Sequence, residues 1–280
     1  MSDKFISWEA AVAWLSAQPD KQDLVRDCYY DPSPEAAAKR YWQSEEWRTI
    51  QAFLPDAPGR ALDLGAGRGI ASYALAKEGW KVMAVEPDPS DLVGGGAIRR
   101  IAQAEGLPIE VAQEFGECLP CKSASFDLVF ARQVLHHAHD LTALCAEVFR
   151  VLKPGGKFIA VRDHVISSSD DLPAFWKIHP LHQLYGGENA YRSRQYMDAM
   201  RSAGFRLERV LRPFDSVINY APYTHDSLRD EIKRRLARFP LGGIAGRLLN
   251  AGFIMDVSLA LLSRIDHRPG RLYSFICSKP

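Results

Sequence analysis

A strand-like run followed at once by a glycine-dense turn constrains this chain more than any other feature. Residues 60–64 form an apolar run that includes Asp63, glycines follow at 65, 67 and 69, and an apolar helical pattern begins at Ile70. Glycine has no Cβ and tolerates positive φ, so such a turn lets the backbone approach a ligand closely. We therefore expect a ligand site where this strand ends.

The residues after the turn alternate between strand-like and helix-like patterns, which is typical of a parallel sheet with crossover helices. The patterns predict strands over 60–64, 81–86, 108–113, 126–131, 157–162, 206–211 and 272–277. They predict helices over 68–78, 91–105, 140–151 and 193–203.

Two further regions lie outside this alternation. Residues 1–54 repeat apolar positions with helical spacing, and we expect them to form an N-terminal helical cap on a domain of residues 55–280. About 55 residues separate the last two predicted strands, too many for a simple loop. We therefore expect a helical insertion at 215–268, where basic residues adjoin an apolar tract that could shelter an acceptor.

Composition excludes several classes of protein. The net charge of +1 gives no electrostatic argument for nucleic-acid binding. The N-terminus has no signal-peptide pattern, and no apolar run is long enough to span a membrane. We expect a small-molecule partner, and contact of the basic insertion with an anionic membrane is the alternative to a lid over the acceptor. Five scattered cysteines do not resemble a disulfide framework. We expect a reduced, cytoplasmic protein whose oligomeric state the sequence does not indicate.

Glu86 ends the second predicted strand about 20 residues beyond the glycine turn. An acid at this position can accept hydrogen bonds from both hydroxyls of a ribose. The alternative is that Glu86 only caps the helix that follows. The ribose interpretation favours a nucleoside ligand but does not choose between nicotinamide and S-adenosylmethionine cofactors.

A series of short motifs makes that choice. Asp63-Leu64-Gly65-Ala66-Gly67-Arg68-Gly69 is followed by Glu117-Cys118-Leu119-Pro120, Ser125-Phe126-Asp127, Leu135-His136-His137 and Leu152-Lys153-Pro154-Gly155-Gly156. In this order the series resembles class I S-adenosylmethionine-dependent methyltransferases of the small-molecule branch, which includes the ubiquinone- and menaquinone-type enzymes. The resemblance is strong over residues 60–165 and moderate over 166–212.

The resemblance implies a doubly wound, Rossmann-like α/β fold with a seven-stranded sheet whose last strand is antiparallel. It implies transfer of a methyl group from S-adenosylmethionine to oxygen or nitrogen of a small organic acceptor. Two alternatives stay open: a catalytically silent protein of this fold that binds cofactor or a partner, and an NAD(P)-dependent reductase. The reductase lacks support, because neither G-x-G-x-x-G nor a catalytic Tyr/Lys pair is found.

The resemblance also assigns cofactor-binding positions at the carboxyl edge of the sheet. They are Tyr30, Asp63, Gly65, Ala66, Gly67, Glu86, Pro87, Gly116, Glu117, Arg132 and Gln133. Relatives often carry an Asp where this chain has Phe115, so the adenine contact here comes either from the Phe115 ring or from backbone.

The acceptor end of the site offers fewer signals. His137 follows the fourth predicted strand and is our first candidate for a general base, with His136 second. Asp163 ends the fifth predicted strand and could orient a histidine or contact the acceptor. For each of these residues a purely structural role is the alternative. The aromatic and glycine-rich segment 184–191 suggests an ordered loop over the acceptor.

We expect no metal site from the sequence. Cys118 and Cys121 have zinc-like spacing, but no second cysteine pair follows. His136, His137 and His139 are near neighbours, and adjacent residues on a helix cannot face one ion together.

Overall fold

A computed structural model describes residues 5–186, 188–240 and 242–280. Residues 187 and 241, which fall in the predicted loop 184–191 and the predicted insertion 215–268, lie outside the described residues. The strands are β1 Arg60–Leu64, β2 Lys81–Val85, β3 Ile109–Ala112, β4 Phe126–Arg132, β5 Leu152–Ile166, β6 Tyr191–Arg192, β7 Arg206–Leu211 and β8 Arg271–Ser278. The helices are α1 Trp8–Ser16, α2 Gln22–Asp27, α3 Pro34–Trp42, α4 Glu45–Gln51, α5 Ile70–Lys77, α6 Gly95–Glu105, α7 Leu141–Val151, α8 Leu172–Trp176, α9 Pro180–Tyr185, α10 Ser193–Ser202, α11 Val217–Tyr220, α12 His225–Leu236, α13 Gly242–Leu248 and α14 Gly252–Ile265.

The strands form one mixed sheet in the order β3-β2-β1-β4-β5-β8-β7. Strands β1 to β5 run parallel, and β8 is antiparallel to both β5 and β7. This confirms the predicted doubly wound fold and its antiparallel last strand. The number of strands differs from the predicted seven, because the two-residue β6 adds a parallel pair to the end of β5.

The central parallel strands β1 and β4 are buried on both faces, as expected for a sheet covered by helices, whereas the edge strand β3 is partly exposed. In β1 the four residues from Ala61 to Leu64 are buried, and in β4 Leu128 to Ala131 are fully buried. Strand β5 begins five residues earlier than predicted, since the backbone of Leu152 already pairs with β4. The carboxyl ends of β1, β2, β4 and β5 therefore meet at one edge.

The regions outside the sheet alternation are helical, as the sequence indicates. Helices α1 to α4 precede the sheet, and α11 to α14 lie between β7 and β8. Trp47 of α4 is fully buried and contacts Phe130 of β4 edge to face, with 6.0 Å between ring centroids. In the part of the chain that is described, no helix is both long and apolar enough to cross a bilayer.

Candidate cofactor and acceptor site

The turn after β1 has the backbone that its glycines predict. Gly65, Gly67 and Gly69 have φ values of +59°, +53° and +81°. A Cβ added at Gly65 would lie 2.8 Å from the Val134 side chain, whereas a Cβ at Gly67 would meet no atom within 4 Å. The turn thus packs tightly on one side and leaves open space above Gly67, where a ligand can approach the backbone.

Glu86 lies directly beside this turn. Its carboxylate accepts hydrogen bonds from the backbone N–H of Gly67 at 2.7 Å and from that of Asp88 at 2.9 Å. The residue is 8% exposed, and its burial raises its pKa more than these two hydrogen bonds lower it. Ala66 lies in the same turn, and its backbone N–H donates a hydrogen bond to the backbone carbonyl of Val85 in β2. Pro87 continues the chain between Glu86 and Asp88.

Asp63 is buried beneath the turn. It is 1% exposed, and its Oδ2 accepts a hydrogen bond from the Ser72 hydroxyl at 2.5 Å. Burial, together with a smaller effect of the Glu86 carboxylate, raises the pKa of Asp63 to about 7 despite the lowering effect of the Ser72 hydrogen bond. A positive charge brought close to this buried carboxyl would lower its pKa and favour its ionised form.

This shift predicts a pH-dependent contribution to stability that Asp63→Asn removes. The pKa of Asp63 rises from about 4 in the unfolded chain to about 7 in the folded one. The folded state therefore holds an extra proton in this window, and its stability falls as the pH rises from 4 to 7. Denaturant unfolding across this range should show a shallower decline in Asp63→Asn than in wild type. Asp56→Asn, at an exposed carboxylate, serves as control, and parallel wild-type and Asp63→Asn profiles would contradict the assignment.

The N-terminal helices are tied to the glycine turn by Arg68. Its guanidinium donates to the backbone carbonyls of Tyr29 at 2.9 Å and Asp31 at 3.0 Å. It also lies 5.9 Å from the centre of the Tyr30 ring, which packs edge to face on Trp8. Burial raises the pKa of Tyr30, so its hydroxyl stays protonated. The structure thus brings Tyr30 to the site, through a contact of Arg68 that sequence reasoning missed.

The predicted adenine side is formed by the segment after β3. The Phe115 ring is 56% exposed and contacts His139 edge to face at 6.3 Å between centroids. A Cβ at Gly116 would lie 3.1 Å from the side chains of Leu64 and Leu144, so this glycine is closely packed. The Glu117 carboxylate accepts a hydrogen bond from the backbone N–H of His139 at 2.9 Å. Phe115 is therefore the group that remains available for stacking on a ring.

Arg132 has a partner that the sequence did not indicate. Its guanidinium donates to both oxygens of Glu46 in α4, at 2.8 and 3.2 Å, and to the Gln133 side chain at 3.0 Å. Glu46 raises the pKa of Arg132 more than burial lowers it. Gln133 has a φ of +58°, and its N–H donates to Val161 of β5. The Arg132 side chain is thus paired with Glu46 of α4, while the Gln133 backbone, with its positive φ, forms the end of β4.

The histidines after β4 lie in a single turn of 3-10 helix, Leu135–His137, beside two carboxylates. Asp163 Oδ1 is 3.0 Å from His136 Nδ1 and accepts the His136 backbone N–H at 3.2 Å. Glu188 Oε2 lies 3.6 Å from His136 Nε2 and 3.9 Å from His137 Nδ1. Asp163 therefore orients a histidine, as the sequence suggested, but that histidine is His136.

The two histidines have opposite charge preferences. Burial lowers the pKa of His136, but the carboxylates of Asp163 and Glu188 outweigh it and raise the pKa to about 9. Desolvation, followed by the positive charge of His136, lowers the pKa of His137 to about 4. The His137 side chain is 38% exposed, whereas that of His136 is 2% exposed. At neutral pH, His137 therefore presents a neutral imidazole to the solvent-accessible side.

Further histidines extend this group toward α9. His164 lies 4.8 Å from His136 and 5.7 Å from His182, measured between ring centroids, and His179 lies 5.3 Å from His182. Burial lowers the pKa values of His164, His179 and His182. The result is a group of mostly neutral imidazoles beside the buried carboxylates of Asp163 and Glu188, and Glu188 lies in the loop predicted to cover the acceptor.

Comparison with known proteins agrees with this arrangement of strands. A family model described as a methyltransferase domain matches residues 62–160. This segment runs from β1 into β5 and includes the glycine turn and Glu86. The chain contains a methyltransferase domain over residues 62–160. The resemblance predicted from the motifs is thereby confirmed over these residues.

The methyltransferase domain also has similar relatives and similar solved structures. The ubiquinone biosynthesis O-methyltransferase of Methylocella silvestris is 34% identical over 101 residues, which are 36% of this chain and 38% of that relative. The chain thus spans well under half of that relative's length. Phosphoethanolamine N-methyltransferase 2 of Haemonchus contortus, solved with S-adenosylmethionine, has a TM-score of 0.60 at 18% identity over 98% of this chain and 60% of that chain.

A third similar structure carries a different activity. The [4+2]-cyclase SpnF has a TM-score of 0.56 at 19% identity, over 88% of this chain and 82% of that chain. Likeness at this level of identity shows the fold alone. These likenesses therefore establish the architecture, whereas the chemistry depends on the residues of the site.

Proposed function

We propose that the protein transfers a methyl group from S-adenosylmethionine to an oxygen or nitrogen atom of a small organic acceptor. The observation that carries this proposal is the open space above Gly67, bordered by the buried carboxylate of Glu86. When bound, S-adenosylmethionine supplies a methyl group on a positively charged sulfonium. Asp63 and Glu86 fit such a ligand, because both are buried carboxylates close to the turn.

The chain's own residues would bind the donor and hold it in place. We propose that Glu86 accepts the ribose hydroxyls and that the Gly67 backbone lies against the ligand. The remaining contacts of the proposed site are Tyr30, Asp63, Gly65, Ala66, Pro87, Gly116, Glu117 and the backbone of Arg132 and Gln133, with Phe115 stacking on adenine. Fixing the acceptor atom against a methyl group can contribute about 7–11 kcal/mol in ideal cases, so positioning suffices for much of the rate.

The acceptor end of the proposed site is the 3-10 turn with its carboxylates. His137 is the exposed member and faces outward, while Asp163 holds the ring of His136. The role of His137 as general base stays a prediction. We propose a small-molecule acceptor rather than a nucleic acid, supported by the net charge of +1. A cytoplasmic location is supported by five unpaired cysteines.

Gly67→Ala tests the donor site against a matched backbone control. Gly106, at the end of α6, also has positive φ (+62°) and no atom within 4 Å of an added Cβ. Both alanine variants should therefore lose a similar free energy of unfolding, about 1–2 kcal/mol. Only Gly67→Ala should weaken S-adenosylmethionine binding, by roughly 5–150-fold, because its methyl group intrudes on the ligand.

The measurement is calorimetric titration of both variants with S-adenosylmethionine, S-adenosylhomocysteine and NADH. Equal affinity of Gly67→Ala and Gly106→Ala for S-adenosylmethionine would place the ligand elsewhere. Binding of NADH alone would favour the reductase alternative. Binding of S-adenosylmethionine without turnover on a broad acceptor library would favour the catalytically silent alternative.

A further inference from the structure

Within the described part of the chain, two buried carboxylate oxygens near the histidines lack a hydrogen-bond partner, Asp163 Oδ2 and Glu188 Oε2, and the second lies between two imidazoles. Glu188 is 6% exposed, and its Oε2 is buried with no hydrogen-bonding group within reach among the described residues. It faces His136 Nε2 at 3.6 Å and His137 Nδ1 at 3.9 Å. Both separations are too long for hydrogen bonds. A buried acceptor left without a partner costs free energy, so this space suits an additional positive group.

The spacing of these three side chains fits a metal ion. One ligand atom from each of His136, His137 and Glu188 lies within 4.8 Å of the other two. Zinc bonds of about 2.0–2.1 Å in a tetrahedral site place neighbouring ligand atoms roughly 3.3–3.4 Å apart. The two distances from Glu188 exceed this spacing by about 0.2–0.6 Å, and the three ligand atoms together lie within 4.8 Å, so rotation of the exposed His137 side chain would have to bring them closer on binding.

The carboxylate of Asp163 orients the His136 ring, as second carboxylates do for histidine ligands in metal sites. Asp163 is fully buried, and its Oδ1 accepts from both Nδ1 and the backbone N–H of His136. This contact holds a proton on Nδ1 and directs Nε2 toward Glu188, so that a metal ion would replace the Nε2 proton. Carboxylate–histidine–zinc arrangements use the same pattern.

We propose that His136, His137 and Glu188 bind one divalent metal ion, with zinc the best match to two imidazoles and a carboxylate. The sequence-based expectation of no metal site rested on adjacent histidines in an α-helix. Here they lie in one 3-10 turn with ring centroids 4.1 Å apart, and the third ligand comes from a distant loop. Two histidines and a glutamate leave a coordination position open, as in catalytic zinc sites.

The histidine turn lies next to the glycine turn of the proposed donor site. Val134, which directly precedes the histidine turn, packs against Gly65 of the glycine turn. Resting on the proposed function, we infer that an acceptor hydroxyl coordinates the metal and loses its proton to solvent. Its oxygen then forms the bond to the methyl carbon while the carbon–sulfur bond breaks, and sulfur keeps the electron pair. His137 is then a metal ligand rather than a free base.

Titration of the chelator-treated full-length protein with Co²⁺, followed by Zn²⁺, tests this site without any acceptor. We expect visible Co²⁺ absorption that saturates at one ion per chain and disappears on addition of Zn²⁺. Glu188→Gln and His137→Ala should each weaken binding more than tenfold, and Asp163→Asn about 10–100-fold. His267→Ala, at an exposed histidine outside this cluster, should retain wild-type affinity.

Absence of stoichiometric Co²⁺ and Zn²⁺ binding in folded wild-type protein would overturn the proposal and leave a protonated His136 between two carboxylates. Wild-type affinity in both Glu188→Gln and His137→Ala would overturn it as well. The outcome is separable from that of the proposed function. Metal-free protein that binds S-adenosylmethionine but no metal contradicts this inference only. Protein that binds metal but not S-adenosylmethionine contradicts the proposed function only.

Discussion

Replacing Glu46 by glutamine is expected to lower the free energy of unfolding by about 3–5 kcal/mol. Glu46 is 1% exposed, forms a two-point hydrogen-bonded ion pair with Arg132, and lies 3.9 Å from a guanidinium nitrogen of Arg162. The two arginine side chains are only 12% and 10% exposed. Removing the carboxylate leaves both guanidinium groups without a compensating charge in a desolvated environment.

Denaturant unfolding measures this loss, with a fall in melting temperature of roughly 6–20 °C. Glu45→Gln is the matched control, because Glu45 occupies the same first helical turn of α4 without an ion pair to Arg132 or Arg162. Its stability should stay within about 0.5 kcal/mol of wild type. Equal stability of the two variants would show that the ion pair does not hold the N-terminal helices to the end of β4.

Glu86→Gln is expected to raise the dissociation constant for S-adenosylmethionine by roughly 10–150-fold. A hydrogen bond to a charged group contributes about 1.5–3 kcal/mol, and each 1.4 kcal/mol is a factor of about ten in affinity. An amide also replaces one of the two oxygens that now accept the N–H groups of Gly67 and Asp88. The variant thus loses both the ribose acceptor and part of the support of the turn.

The control for this variant is Glu110→Gln, which removes the same charge from an exposed position on β3. Adenosine should lose affinity for Glu86→Gln by a similar factor, because it carries the ribose without the methionine portion. A dissociation constant within threefold of wild type for both ligands would assign Glu86 a purely structural role.

The sequence predicts the parallel half of this fold closely because its signals are local. Strands β1, β2 and β4 are short apolar runs, and their predicted bounds differ from the observed ones by at most one residue. The start of β5 was wrong by five residues, since Pro154, Gly155 and Gly156 have the composition of a turn although the backbone pairs from Leu152. The two-residue β6 has no periodic signal at all.

The sequence signals for the donor side of the site are also local, whereas those for the acceptor side are not. Gly67 and Glu86 are recognisable because each directly follows a strand. The pairing of Arg132 with Glu46 joins residues 86 positions apart, and no spacing rule connects them. Glu188 lay within the loop predicted to cover the acceptor, but its approach to His136 depends on the tertiary fold. Long-range carboxylate partners are thus what a single sequence leaves undetermined.

The most direct test of the central proposal is calorimetric titration of the purified wild-type protein with S-adenosylmethionine. We predict saturable binding at one site per chain, weakened in Gly67→Ala and Glu86→Gln and retained in Gly106→Ala and Glu110→Gln. Failure of S-adenosylmethionine and S-adenosylhomocysteine to bind protein that is folded by circular dichroism would contradict the proposed donor site.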